Sequence, residues 1–150
     1  MEKKLIRDLM TRDVESVTLK DNVYEAAVIM RDKNVGVVPV VDEQNHCIGL
    51  ITDRDIVIRG IASKRSGSFA VEGVMSEKLV TGTPDMTADQ AAQMMAKEQI
   101  RRLPIVENGK LIGIVSMADL ATHRETMDEA GFAISQISEP TTQHSQGYQQ

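Results

Sequence analysis

One seven-residue pattern occurs twice in the chain, and this duplication constrains the fold more than any other feature. The two copies are GLITDRD from Gly49 and GIVSMAD from Gly113, which share a glycine, two aliphatic residues, a hydroxyl residue, two variable residues and an aspartate. Earlier matches such as Met10 with Met75 lie 65 residues apart. Self-similarity at a fixed offset indicates a duplicated structural unit. The 150 residues are therefore predicted to form two related repeats that share a core.

Both copies have the same order of predicted elements. A short strand near Val17 or Val80 precedes an amphipathic helix, an apolar strand, a polar turn and another strand, and a second helix then begins at Thr52 or Ser116. Strands that flank a helix should be parallel, whereas strands joined by a tight turn should form a hairpin. The spacings of Asn22 with Glu25 and of Thr87 with Gln90 are typical of helix capping boxes.

The predicted fold class is α/β, with two βαββα repeats packed with pseudo-two-fold symmetry. The first repeat is assigned to residues 5–64 and the second to residues 70–125, with a polar connector between them. Residues 126–150 are predicted to form a helix and a disordered polar tail.

Composition excludes several classes of function. A net charge of −5 and an aromatic content of 3% argue against a general nucleic-acid-binding protein, which needs a basic face and stacking side chains. Charges interrupt every apolar stretch before it reaches membrane-spanning length, and the first ten residues lack the apolar core of a secretory signal. Cys47 is the only cysteine, so that no intrachain disulfide is possible. These features predict a cytoplasmic protein without a membrane partner.

The repeated segments together resemble a tandem pair of cystathionine-beta-synthase-type (CBS) domains, known as a Bateman module. The similarity covers roughly residues 5–125 and is carried by DLMTRDVESVTL, VGVVPVVDE and GLITDRD in the first repeat, and by VMSEKLVTG, IRRLPIVENG and GIVSMAD in the second. The resemblance implies a freestanding bacterial regulatory module rather than an enzyme. It implies an adenosine-containing ligand (AMP, ADP or ATP), no obligatory cofactor, a homodimer, and an unidentified protein partner.

The resemblance also implies two crossed ligand clefts, each completed by the other repeat. An adenosine ligand needs an aliphatic slot for its base, a carboxylate for its ribose diol, and a hydroxyl and a cation for its phosphate. The implied first cleft consists of Leu50, Thr52, Arg54 and Asp55 facing Leu79, Val80, Ile100 and Arg102. The implied second cleft consists of Ile114, Ser116 and Asp119 facing Val14, Val35 and Gly36, with Arg101 near the phosphate.

Other interpretations of these residues remain open. Thr52 with Asp55, and Ser116 with Asp119, also have the spacing of ordinary helix caps, and a cap can contact a phosphate at the same time. Arg101 and Arg102 are also compatible with a solvated strand edge. Asp119 and His123 have the spacing of a metal-binding pair but lack an evident third ligand, so that no metal site is predicted. The first rival function is a structural or protein-interaction module with vestigial clefts. The second is a redox or nucleotide-turnover enzyme, for which the sequence gives little support.

Overall fold

The computed structural model describes residues 4–122 of the chain. The described chain alternates helices with short strands and is α/β, as predicted. The elements are α1 Ile6–Leu9, α2 Val23–Lys33, β1 Val37–Val41, β2 Cys47–Thr52, α3 Asp53–Asp55, α4 Ala88–Glu98, β3 Arg102–Glu107, β4 Lys110–Ser116 and α5 Met117–Ala121. A π-helical turn, Ile56–Gly60, and a 3-10 turn, Ile61–Ser63, continue α3, and a further 3-10 turn covers Val71–Gly73.

Two hairpins form the sheets of the molecule. Strands β1 and β2 pair antiparallel from Val37 opposite Thr52 to Val41 opposite Cys47, with a register shift between Val40 and Val41. Strands β3 and β4 form the other two-stranded sheet. Their connecting turn contains Gly109 with a φ of +80°, a conformation that glycine adopts without steric cost. Both predicted hairpins are confirmed.

The first strand of each repeat is shorter than the sequence suggested. Val17 forms a single parallel bridge with Val40, and Gly82 forms the matching parallel bridge with Ile105. The predicted parallel pairing is therefore confirmed. In the second repeat, however, the paired residue is Gly82 rather than Val80.

The two long helices begin at the predicted cap residues, and one of the two predicted capping boxes is complete. The Asn22 side chain accepts a hydrogen bond from the backbone N–H of Glu25 at 3.1 Å. The Glu25 carboxyl does not complete this capping box, because it hydrogen-bonds to Asp21, which raises the pKa of Glu25. Thr87 and Gln90 form the full reciprocal box at the start of α4, with distances of 2.9 and 3.1 Å.

The described chain divides into two compact units, each of which is considered by itself. One unit contains residues 11–84 and 104–114. Its core packs the inner faces of α2, β1 and β2 against the segment that follows the first repeat, through Val17, Val23, Ala26, Val38, Val40, Ile51, Val71, Val74 and Met75. The sequence indicated a polar connector between the repeats, but Val71, shortly after it, is completely buried. Because the residues around Val71 in the sequence are polar, composition did not indicate that this side chain is buried.

The other unit contains residues 4–10, 85–103 and 115–122 of the described chain. The backbone N–H of Ile6 donates to the carbonyl of Met86 at 2.8 Å, which ties the start of the chain to the segment before α4. Ala91, Ala92 and Met95 of α4 are fully buried. The neighbouring Met94 is half-buried. The apolar side chains of α4 are thus largely covered within the chain. The predicted C-terminal helix and tail, 126–150, lie outside the described residues, as does His123.

Candidate functional site

The first copy of the repeated frame is a helix cap with a buried carboxylate. Strand β2 ends at Thr52, whose extended backbone leaves the first amides of the following helix without helical partners. The Thr52 side-chain oxygen accepts from the Asp55 N–H at 3.0 Å, and Asp55 Oδ2 accepts from the Thr52 N–H at 3.0 Å. Asp55 is 9% exposed, which is unusual for a charged residue.

Arg59 engages the second oxygen of the same carboxylate. Its Nη1 lies 3.3 Å from Asp55 Oδ1 and also donates to the carbonyl oxygens of Val74 and Met75 at 3.1 and 3.2 Å. The guanidinium therefore connects the helix after β2 to the segment that leaves the first repeat. As a result, both oxygens of Asp55 have fixed partners.

The second copy of the frame is built in the same way. The Ser116 side-chain oxygen accepts from the Asp119 N–H at 3.1 Å, and Asp119 Oδ2 accepts from the Ser116 N–H at 2.8 Å. Asp119 is half-buried. The capping interpretation is therefore confirmed for both frames, and it leaves the ligand interpretation open because the two are compatible.

The predicted walls of the base slots share one property in the structure. Each of these residues is half-buried, as is expected of a residue that packs in the fold and can still contact a ligand. These residues are Leu50, Leu79, Val80 and Ile100 of the predicted first cleft, and Val14, Val35, Gly36 and Ile114 of the second.

Two of these predicted walls meet in one small cluster. Val14 and Leu79, assigned to different clefts, both pack against Val41, Cys47 and Leu111. Burial raises the pKa of the Cys47 thiol, which disfavours the thiolate that a nucleophile requires.

Leu50 is held by backbone pairing with the segment that Arg59 contacts. Its N–H donates to the Ser76 carbonyl at 3.2 Å, and the Ser76 N–H donates to the Leu50 carbonyl at 2.8 Å. A β-carbon at Gly49 would lie 2.8 Å from the same Ser76 oxygen. Gly49 therefore permits a close approach of the two backbones.

Matched hydrogen bonds place different side chains at equivalent positions of the two repeats. The Asp53 N–H donates to the Gly36 carbonyl at 2.9 Å, and the Met117 N–H donates to the Arg101 carbonyl at 2.9 Å. Arg54 and Arg101 are exposed, and Arg102 is half-buried. Asp53 and Met117 occupy the same variable position of the repeated frame, and the sequence did not indicate that Asp53 lies against Gly36.

The described residues do not provide a metal centre. Among residues 4–122, no group of three or more His, Cys, Asp or Glu side chains is arranged to hold a metal ion. Within the same range, no helix is both long and apolar enough to cross a membrane. The membership of the two predicted clefts stays a prediction from the sequence.

The fold and the duplicated frame define a pair of CBS domains, and the chain belongs to the CBS-domain family. The model of that family, described as CBS domain, matches residues 6–60 and 71–125. The uncharacterized protein YlbB of Bacillus subtilis (strain 168) is 48% identical over 135 residues, which cover 89% of this chain and 91% of YlbB.

Solved structures are similar over most of the chain. The structure of Hypoxic Response Protein I with two coordinated zinc ions has a TM-score of 0.74 and 28% identity, and it covers 80% of this chain and 98% of that one. The CBS domain pair of protein MJ0100 in complex with 5′-methylthioadenosine and S-adenosyl-L-methionine has a TM-score of 0.72 and 26% identity, covering 81% and 95%. CBS pairs are commonly regulatory modules that bind a ligand.

Proposed function

We propose that this protein is a regulatory module that binds an adenosine-containing ligand in the two predicted clefts, and that it is not an enzyme. The duplicated frame carries the proposal: Thr52 with Asp55 and Ser116 with Asp119 have the same hydrogen bonds at the ends of matching strands. The complex of the MJ0100 domain pair with two adenosyl compounds supports the ligand class.

The chemistry of the first frame suits a ribose and a phosphate. A carboxylate oxygen has two acceptor positions, so Asp55 keeps acceptors for a ribose diol although Thr52 and Arg59 already contact it. Those contacts fix the rotamer before a ligand arrives, which lowers the entropy cost of binding. The Thr52 hydroxyl accepts from the Asp55 N–H, and its own hydrogen is left to donate to a phosphate oxygen. Arg54 is the exposed cation of this frame.

A ligand in the first cleft would act on the segment that leaves the first repeat. Arg59 links Asp55 to the carbonyls of residues 74 and 75, and Leu50 pairs with Ser76. A few residues further along are the predicted base-slot residues Leu79 and Val80. A ligand that binds two arrangements of this segment with different affinity shifts their populations, and we propose that a partner protein reads the result.

We also propose that the module acts as a homodimer in the cytoplasm. Three large apolar side chains after the first frame are about half exposed or more: Val57 at 52%, Ile58 at 49% and Ile61 at 67%. Clustered exposed apolar side chains mark interaction surfaces. A second copy of the chain would cover them through an isologous interface. Sedimentation of the wild type at micromolar concentration tests this, and a clean monomer would refute the dimer.

A second candidate function, a structural or protein-interaction module with vestigial clefts, is supported by one observation. Both frame aspartates already serve in helix caps, so the geometry that the two frames share needs no ligand to explain it. The two functions make different predictions for the same variants, because a cap contributes to folding and a ribose contact contributes to affinity.

Calorimetric titration of Asp55→Ala and Asp119→Ala with AMP distinguishes the two functions. We expect Asp55→Ala to weaken binding by about 1.5–3 kcal/mol, the cost of losing a charged hydrogen-bond acceptor, and to weaken it more than Asp119→Ala does. Gln90→Ala is the matched control, since it breaks a capping box outside both predicted clefts. Unfolding curves of all three variants measure the capping contribution, about 1 kcal/mol each, to which Asp55→Ala adds the loss of the ion pair with Arg59. Unchanged affinity in both aspartate variants would favour the interaction module.

A further inference from the structure

The segment between the two repeats presents two serine hydroxyls to solvent. Residues 61–68 are all exposed, and no helix or strand of the described chain covers residues 64–69. The side-chain oxygens of Ser66 and Ser68 lie 2.7 Å apart. A turn holds them together, since the backbone N–H of Phe69 donates to the Ser66 carbonyl at 3.1 Å. The two hydroxyls are therefore accessible to an enzyme and already in contact with each other.

Ser68 lies between two residues that are bound to the start of helix α2. The Val23 N–H donates to the Phe69 carbonyl at 2.8 Å. The next amide of the helix, that of Tyr24, donates to the Gly67 carbonyl at 2.8 Å. All of these residues belong to the same compact unit. A change of charge at Ser68 therefore falls where the segment joins the first repeat.

Basic side chains precede Ser68 along the segment. Arg65 is three residues before Ser68 and Lys64 is four residues before it, and both are exposed. The Arg65 guanidinium lies 3.9 Å from the centre of the Phe69 ring and donates to the Gly73 carbonyl at 3.3 Å. These partners are uncharged, so an acidic pocket of another protein offers Arg65 a stronger, charge-assisted hydrogen bond. Protein kinases select their substrates by such charge patterns.

We propose that Ser68 is a phosphorylation site for a protein kinase that recognises basic substrates, and that the Ser66 hydroxyl then donates to the phosphate. The bond between the γ-phosphorus of ATP and the ADP oxygen breaks as the bond from phosphorus to Ser68 Oγ forms, and a carboxylate base of the kinase takes the hydroxyl proton. Ser68 then has no hydroxyl hydrogen, so Ser66 becomes the donor of the pair.

This modification goes beyond the proposed function and does not depend on it. The phosphate adds about −1.5 to −2 charges at pH 7. It adds them to a segment that contains none of the predicted ligand residues. The segment would then receive a regulatory signal that is separate from any bound nucleotide.

Phosphorylation of the intact protein by cyclic-AMP-dependent protein kinase, which selects arginine before serine, tests the assignment. Initial rates with ATP are compared for the wild type, Ser68→Ala, Ser66→Ala and Arg65→Gln, and mass spectrometry of peptides locates the phosphate. Arg31→Gln is the matched control, because Arg31 is an exposed arginine of α2 and its replacement makes the same change in net charge as Arg65→Gln. Unfolding midpoints confirm that each variant is folded.

We expect the wild type to carry the phosphate on Ser68 and Ser68→Ala to lose it. Arg65→Gln should lower the rate about tenfold or more, which corresponds to the loss of one charge-assisted hydrogen bond to the kinase. Ser66→Ala and Arg31→Gln should react at the wild-type rate. A phosphate on another residue, or a rate that does not depend on Arg65, would overturn the assignment.

Phosphorus NMR of the phosphorylated protein tests the role of Ser66. A donor to the charged form lowers a pKa, so the second pKa of the phosphate, ordinarily about 6, should be lower in the wild type than in Ser66→Ala. The charged residues of the segment and of the start of α2, among them Arg65, Asp21 and Glu25, are the same in both proteins. The difference therefore reports the Ser66 hydroxyl, and equal pKa values would rule out its hydrogen bond to the phosphate.

Mass spectrometry of the protein purified from its own cells, with phosphatase inhibitors present, tests whether the site is used. We expect a peptide that carries phosphate on Ser68. Its absence from both growing and starved cells would refute the proposal. None of these experiments measures ligand binding, so their failure leaves the proposed function standing.

Discussion

Replacing Arg59 with methionine is expected to destabilise the fold by about 2 kcal/mol. The side chain of Arg59 is 50% exposed, and the side chain of its ion-pair partner Asp55, taken without the backbone, is 12% exposed. An exposed ion pair contributes about 0.2–1 kcal/mol to the free energy of unfolding. Because the Asp55 carboxylate is largely buried, we expect this pair to contribute near the top of that range. The two charged hydrogen bonds to backbone carbonyls add about 0.5 kcal/mol each after allowance for solvent screening. Methionine keeps part of the apolar stem, so that the loss is mainly polar.

Thermal and urea unfolding measure this loss. For a domain of this size, about 2 kcal/mol corresponds to a fall of roughly 4–8 °C in Tm. The difference from wild type should narrow at 1 M salt, where the Debye length is about 3 Å. Arg31→Met is the matched control, because Arg31 pairs with its exposed sequence neighbour Asp32, and its Tm should equal that of the wild type. An Arg59→Met protein as stable as the Arg31→Met control would refute the link between the helix and residues 74–75.

Three further experiments test other parts of the structure. Gly49→Ala should cost about 1–3 kcal/mol of unfolding free energy, because the new β-carbon would meet the Ser76 carbonyl oxygen; urea unfolding at wild-type stability would contradict this. Cys47 should be alkylated at least about tenfold more slowly in the folded than in the urea-unfolded protein at pH 8, since burial raises its pKa; equal rates would show that the thiol is accessible. Hydrogen bonds from His46 lower the pKa of the Asp42 carboxyl in the folded protein. The stabilisation that Asp42 contributes to the fold is therefore present above its unfolded-state pKa of about 4, and it is lost as the pH falls through the lower pKa of the folded state. Asp42→Asn should therefore flatten the fall in Tm between pH 5 and pH 2, and an unchanged slope would exclude this contribution.

Local features of the fold were predictable from the sequence because they depend on neighbours within a few residues. The spacing of Thr52 with Asp55 and of Ser116 with Asp119 predicted two caps, and both are present. The helices, the hairpins and the parallel pairing of Val17 were predicted for the same reason.

Features that depend on contacts between distant segments were not predictable in this way. The burial of Val71 depends on the core of α2, β1 and β2, and nothing in its polar surroundings indicates it. Arg59 follows Asp55 at helical spacing, but its bonds to the carbonyls of residues 74 and 75 depend on the path of the backbone. The approach of Asp53 to Gly36 is likewise a tertiary contact.

The most direct test of the central claim is the response of the wild-type protein to a panel of adenosine ligands. The panel contains AMP, ADP, ATP, 5′-methylthioadenosine and S-adenosyl-L-methionine, with guanosine and pyrimidine nucleotides as controls. A ligand at a hundred times its Kd should add about 2.7 kcal/mol to the free energy of unfolding. We predict that at least one adenosine compound raises Tm and binds in calorimetry, and that the control nucleotides do so less. A flat response to every adenosine compound at millimolar concentration would contradict the claim that this CBS pair binds an adenosyl ligand.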